Sequence, residues 1–87
     1  MDEFKWNRAR PPKFEDLFVA SGLASSKSDA RRLIEGKGLR IRHETWEGEV
    51  VYGQVVPEEA IVESGGERFV VLLKGKKNDA ILHVEFE

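Results

Sequence analysis

The sequence contains no cysteine, so neither a disulfide framework nor a thiolate metal site is open to it. No apolar run approaches the roughly 20 residues that a membrane helix needs. The first residues, Met1-Asp2-Glu3-Phe4-Lys5-Trp6, are charged and lack the apolar centre of a signal peptide. Together these absences predict a cytoplasmic protein with no membrane partner. Histidine is scarce, and His43 and His83 stand far apart without ligand or acid–base spacing. The segments Gly36-Lys37-Gly38 and Gly75-Lys76-Lys77 are too short for a phosphate loop. A chain of 87 residues also has no room for a Rossmann-like nucleotide unit. The reading is therefore of a non-enzymatic chain, with no catalytic residue, no metal, no cofactor and no small-molecule substrate.

What the sequence does contain is one small domain's worth of residues, 40% hydrophobic and 34% charged, with a formal net charge of −2. That balance alone argues against a nucleic-acid partner, but its distribution argues for one. From Arg8 to Arg42 nine Lys/Arg face four acids, a net of +5. From His43 to Leu73 one Arg faces seven Glu, a net of −6, and Lys74 to Asp79 returns to +2. A chain polarised in this way can offer phosphate a basic face while remaining slightly acidic overall.

Residues 1–11 show no periodicity and end in Pro11-Pro12, which reads as an arm or linker before a domain spanning 12–87. Pro12 suits the first turn of a helix. Phe14, Leu17, Phe18 and Ser21 then hold the i, i+3, i+4, i+7 spacing of one helical face, and Gly22 stands where a left-handed glycine would end it. Ser26 is a good N-cap for a second helix, with Asp29 completing a pair like a capping box. Ala30, Leu33 and Ile34 form its apolar stripe, and Gly36-Lys37-Gly38 stops it.

The period then changes to two. Leu39 and Ile41 alternate with Arg40 and Arg42, which predicts a strand with a basic face. Val50 to Tyr52, Arg68 to Leu73 and Ala80 to Val84 are further strand candidates, separated by turns at Ser64-Gly65-Gly66 and at Gly75 to Asp79. Helix, helix, then strands describes an α+β fold, with two helices packed on a small antiparallel sheet. Trp46 and Tyr52 are expected to pack under the β-turns, and Trp6 to be a loose arm residue.

On a helical wheel Lys27 and Arg31 lie one turn apart beside the apolar stripe, with Arg32 further round. The helix N-terminus adds exposed N–H groups and the positive end of a dipole, which suit a phosphate. Arg40, Arg42 and the turn carrying Lys74, Lys76 and Lys77 are candidates to extend the surface. From the residues alone two readings stay open: a phosphate-binding face, or a solvated basic helix face.

The run Gly22-Leu23-Ala24-Ser25-Ser26-Lys27-Ser28-Asp29-Ala30-Arg31-Arg32-Leu33-Ile34-Glu35-Gly36-Lys37-Gly38-Leu39-Arg40-Ile41 resembles the core of the S-four RNA-binding domain, named for a ribosomal protein. Ser26, Lys27, Ala30, Arg31, Ile34, Gly38 and Ile41 match that family's pattern position by position. The resemblance implies a helix-turn-helix-like pair, the αL motif, whose second helix contacts RNA backbone through Ser26, Lys27, Arg31 and Arg32. Arg31-Arg32, the Gly36-Lys37-Gly38 stop and the late Phe69-Val70-Val71-Leu72-Leu73-Lys74-Gly75-Lys76-Lys77 are most similar to the C-terminal domain of bacterial-type tyrosyl-tRNA synthetases. That likeness implies binding of tRNA-Tyr outside the active site. Arg42-His43-Glu44-Thr45 departs from the tight turn usual after the first strand, and the 44–67 stretch is more acidic than the family's pattern. The expected partner is RNA: tRNA first, ribosomal RNA for a free-standing protein of the S-four type second. A different class, a protein-interaction module offering its Glu-rich half to a basic partner, would bind with less sensitivity to salt.

Overall fold

The computed structural model describes residues 3–87, and the chain order is β1 (Glu3–Trp6), α1 (Phe14–Ala20), α2 (Lys27–Glu35), β2 (Leu39–Arg42), a 3-10 turn (Glu58–Ala60), β3 (Val62–Ser64), β4 (Glu67–Lys74) and β5 (Asn78–Phe86). Alternation in β4 and β5 sends Val70, Leu72, Leu82 and Val84 to one face, where they are buried against the helices. Phe14, Leu17 and Phe18 of α1 and Ala30 and Ile34 of α2 complete this core, while Leu33 stays at its edge. The α+β class and the two-helix pair are as the sequence predicts.

The sheet itself is mixed. Its order is β1-β5-β4-β2, with β3 also on β4, and β1 runs parallel to β5 while the other pairs are antiparallel. The arm expected over 1–11 is therefore, from Glu3 to Trp6, an edge strand of the domain, and the domain begins before residue 12. Residues 1 and 2 of that arm lie outside the described residues. Trp6 is not loose: it is fully buried and meets Phe4 and Phe86 edge-on at 6.5 and 6.3 Å. The bulk of an indole supplies the reason, since burying it releases more apolar surface from water than any other side chain of the segment.

Val50 to Tyr52, expected as a strand, is not one. It belongs to a long excursion between β2 and β3, which lie end to end along the same edge of β4. The excursion is tied to the start of α1. Phe14 N donates to the Gln54 carbonyl (3.1 Å), Val56 N to the Pro12 carbonyl (2.9 Å), and Gly53 N to the buried carboxylate of Glu15 (3.0 Å). Pro12, expected in the first turn of α1, instead precedes the cap residue Lys13, and its carbonyl accepts the bond from Val56 N. Trp46 stacks on Phe14 at 6.0 Å, and His43 bridges the mouth of the excursion through Nε2 and the Ile61 carbonyl (3.1 Å). His43 Nδ1 accepts from Thr45 N (3.0 Å), so Nε2 carries the proton and donates to Ile61.

Two helix ends matter for the site. Ser26 Oγ accepts from Asp29 N at 3.1 Å, as a cap should, but the Asp29 carboxylate reaches back to Ser25 N (3.0 Å) rather than to Ser26 N. At the far end Lys37 N donates to the Ile34 carbonyl (2.9 Å) and Gly38 N to the Leu33 carbonyl (2.8 Å), the paired bonds of a Schellman stop. The left-handed residue of that stop is neither flanking glycine. It is Lys37, at φ +59°.

Candidate nucleic-acid interface

The α2 cations stand where the wheel puts them. Ala30 and Ile34 bury one face, and Lys27, Arg31 and Arg32 project from the rest with side chains 69%, 60% and 72% exposed. Each already meets a carboxylate: Lys27 Nζ lies 3.5 Å from Asp16, Arg31 Nε 3.4 Å from Glu35, and Arg32 Nη2 2.7 Å from Asp29. Exposed pairs of this kind contribute little, about 0–1 kcal/mol, and leave most guanidinium donors free. Arg31 also sits over the Tyr52 ring at 5.2 Å, a contact made by the excursion and absent from the helical pattern. Of the excursion's acids, Glu58 pairs with Arg8 at 3.1 Å, and Glu49 lines a cleft beside β2.

Asp29 is the electrostatic hinge of this end. Its carboxyl is held below the ordinary aspartate range, first by the bond from Ser25 N and then by the Arg32 guanidinium. A charged Asp29 therefore fixes the Ser25-Ser26 cap and orients Arg32 at once. It also places a negative charge beside the helix N-terminus that the sequence marked for phosphate.

The strand and turn cations form a second group. Arg40 and Arg42 alternate with Leu39 and Ile41, so they point to the sheet face opposite α2, in register with Leu73 and Val71. The structure thus does not merge Arg42 with the helix face. It does join the β4–β5 turn to the stop of α2. Gly75 N donates to the Gly38 carbonyl (2.9 Å), and Arg40 Nη2 donates to the Gly75 carbonyl (3.0 Å). Lys74 is half-buried, and Lys76 and Lys77 are exposed on that turn. An open cleft of about 340 Å³ lies beside it, lined by Ile34, Lys37, Leu39, Arg40, Ile41, Gly48, Glu49 and Val50. Lys37 was not among the candidates read from the sequence, because its place beside this group depends on the β2–β4 register, which the local sequence does not show. Among the described residues no cluster of three His, Asp or Glu is placed to hold a metal, and no helix is long and apolar enough to cross a membrane.

With this geometry in hand, comparison with known proteins is informative. The chain is 33% identical over 82 residues, 94% of its length, to the tyrosine–tRNA ligase of Protochlamydia amoebophila. It is 41% identical over 69 residues to the tyrosine–tRNA ligase of Streptomyces griseus, and 39% over 69 residues to the chloroplastic/mitochondrial one of Arabidopsis thaliana. Over 79–94% of its length the chain is similar to a small C-terminal part of tyrosyl-tRNA synthetases. It spans only 12–18% of the length of these relatives, in a part separate from the catalytic domain, so it corresponds to a non-catalytic domain associated with a tRNA synthetase. No family model matches the chain.

Proposed function

We propose that this domain binds RNA, and tRNA in particular, through the sugar-phosphate backbone. The observation that carries the reading is the exposed cationic face of α2, with Ser26 capping its N-terminus and Lys27, Arg31 and Arg32 beside it. Arg40, Arg42, Lys74, Lys76 and Lys77 extend the contact on the β2 and β4–β5 side. Similarity to tyrosine–tRNA ligases supports tRNA over ribosomal RNA as the partner. Contacts of this chemistry position RNA without reading its bases. In the parent enzyme such a domain would hold tRNA-Tyr away from the catalytic centre, and this chain would not itself turn over ATP or tyrosine.

The test is a tRNA titration at several salt concentrations with Lys27→Ala, Arg31→Ala and Arg32→Ala, each melted in parallel. Each variant should weaken binding several-fold, for tRNA and unrelated RNA alike, and flatten the log-affinity against log-salt slope by roughly 0.7 to 0.9 per contact. Arg31→Ala also loses the Tyr52 contact, worth about 0.5–1 kcal/mol at an exposed site, so its melting curve separates folding from binding. Variants that all bind with wild-type affinity and slope would show that α2 is not the RNA face. A clear preference for ribosomal RNA over tRNA would favour the free-standing reading.

A further inference from the structure

The cations of α2 and those of the turns beyond it differ in their electrostatic surroundings. Those on α2 each face a carboxylate, as described. Those of the two turns beyond its C-terminal end do not. Among the described residues, no carboxylate lies within ion-pair distance of Lys37, Arg40, Lys74, Lys76 or Lys77. Acids on the neighbouring elements are Glu49, which lines the same cleft as Lys37 and Arg40, Asp79, which pairs with Leu73 on the row of Arg40, and Glu35, which Arg31 occupies.

These like charges are held together by the backbone. The register Leu39↔Lys74 sets the two turns side by side, and the Gly75–Gly38 and Arg40–Gly75 hydrogen bonds fasten them. Repulsion among unneutralised cations opposes that arrangement, and an anion seated between them would relieve it.

Lys37 gives the second, independent indication. Its backbone is left-handed at φ +59°, a conformation open to glycine and unfavourable for a residue with a Cβ. Glycines stand at 36 and 38, on either side of the one position that needs one. The Lys37 side chain is exposed and makes no hydrogen bond or ion pair among the described residues, so nothing in the fold compensates for keeping a lysine there. The stop needs the left-handed backbone but not a lysine side chain, and strain retained at a side chain without a partner in the fold points to a ligand.

We propose that the clasped turns at Gly36–Gly38 and Lys74–Lys77 form a phosphate anchor for RNA backbone. Lys37 is its central contact, Lys76 and Lys77 flank it, and Arg40 braces it. The anchor rests on the RNA-binding reading and adds a site that α2 alone does not supply. About nine residues of helix at 1.5 Å per residue separate Lys27 from the anchor, so the two sites engage different phosphates of one RNA.

The test compares Lys37→Gly, the double variant Lys76→Gln/Lys77→Gln, and Lys27→Ala in tRNA titrations across a salt series, with melting curves. Lys37→Gly should melt at or above the wild-type temperature, because glycine relieves the left-handed strain. It should nonetheless bind tRNA about 3- to 10-fold more weakly, with a salt slope flatter by roughly 0.7 to 1. The double variant should lose more. Wild-type affinity and slope in either turn variant would overturn the anchor, and so would a lowered melting temperature in Lys37→Gly. Loss of affinity in Lys27→Ala with both turn variants unaffected sinks the anchor and leaves the RNA reading standing. No salt-dependent RNA binding by the wild-type chain sinks both.

Discussion

Trp6 and Glu15 show how single side chains hold the site in place from a distance. Trp6 closes the core beneath the β1 edge, and its Nε1 is buried with no partner among the described residues. Trp6→Ala should cost about 3–5 kcal/mol, a large share of what a domain of this size has. Trp6→Phe should cost much less, because it removes an unpartnered donor along with the ring it sits on. Urea titration of both variants checks the contrast. Glu15 is a buried carboxylate that accepts from Gly53 N and so holds the segment that carries Tyr52 under Arg31. Glu15→Gln keeps an acceptor oxygen and should fold normally, whereas Glu15→Ala should lose about 1–3 kcal/mol by leaving the Gly53 N–H unpaired. Gly48 belongs to the same shell, since a Cβ there would come within 2.5 Å of the Trp46 ring.

At the scale of the element, α2 is governed by its two ends. Ser26→Ala removes the cap bond to Asp29 N and should destabilise by about 1 kcal/mol, read as a shift in urea midpoint with unchanged slope. Asp29 adds a pH dependence of definite sign. Its folded pKa is depressed, so its stabilising contribution is complete at neutral pH and is lost as the pH falls below about 4, through the folded value. Asp29→Asn should flatten the acid limb of the stability profile, and a profile identical to wild type would exclude this role. Both helices were readable from sequence because their signals are local: an apolar face at i, i+3, i+4, a serine cap, and glycines at the ends. Which residue of Gly36-Lys37-Gly38 turns left-handed was not readable. The glycines invite that role, and the Schellman bonds from Lys37 and Gly38 assign it to the lysine between them.

Over the whole molecule, the sheet and the charge distribution set the function. β1 pairs with β5, close to the other end of the chain, and no local pattern in Glu3–Trp6 announces a partner so remote. For the same reason Val50 to Tyr52 was expected as a strand. Its apolar residues are claimed by the cleft beside β2 and by Arg31, and β4 has no free edge left for them once β2 and β3 are paired. Removing residues 1–7 should abolish cooperative unfolding, since it uncovers β5 and empties the Trp6 slot. The net charge of −2 hides a division of the surface. Cations gather on α2 and the clasped turns, while of the excursion's acids Glu58 meets Arg8 of the N-terminal segment and Glu49 lines the cleft beside β2.

The most direct measurement is the affinity of the wild-type chain for tRNA between about 50 and 200 mM salt, a range over which several phosphate contacts produce a large change. Binding through four to six phosphates gives a log–log slope of roughly −3 to −5 and a loss of roughly 60- to 1000-fold across that range. A slope near zero, or no measurable binding at the lowest salt, would contradict the RNA-binding role.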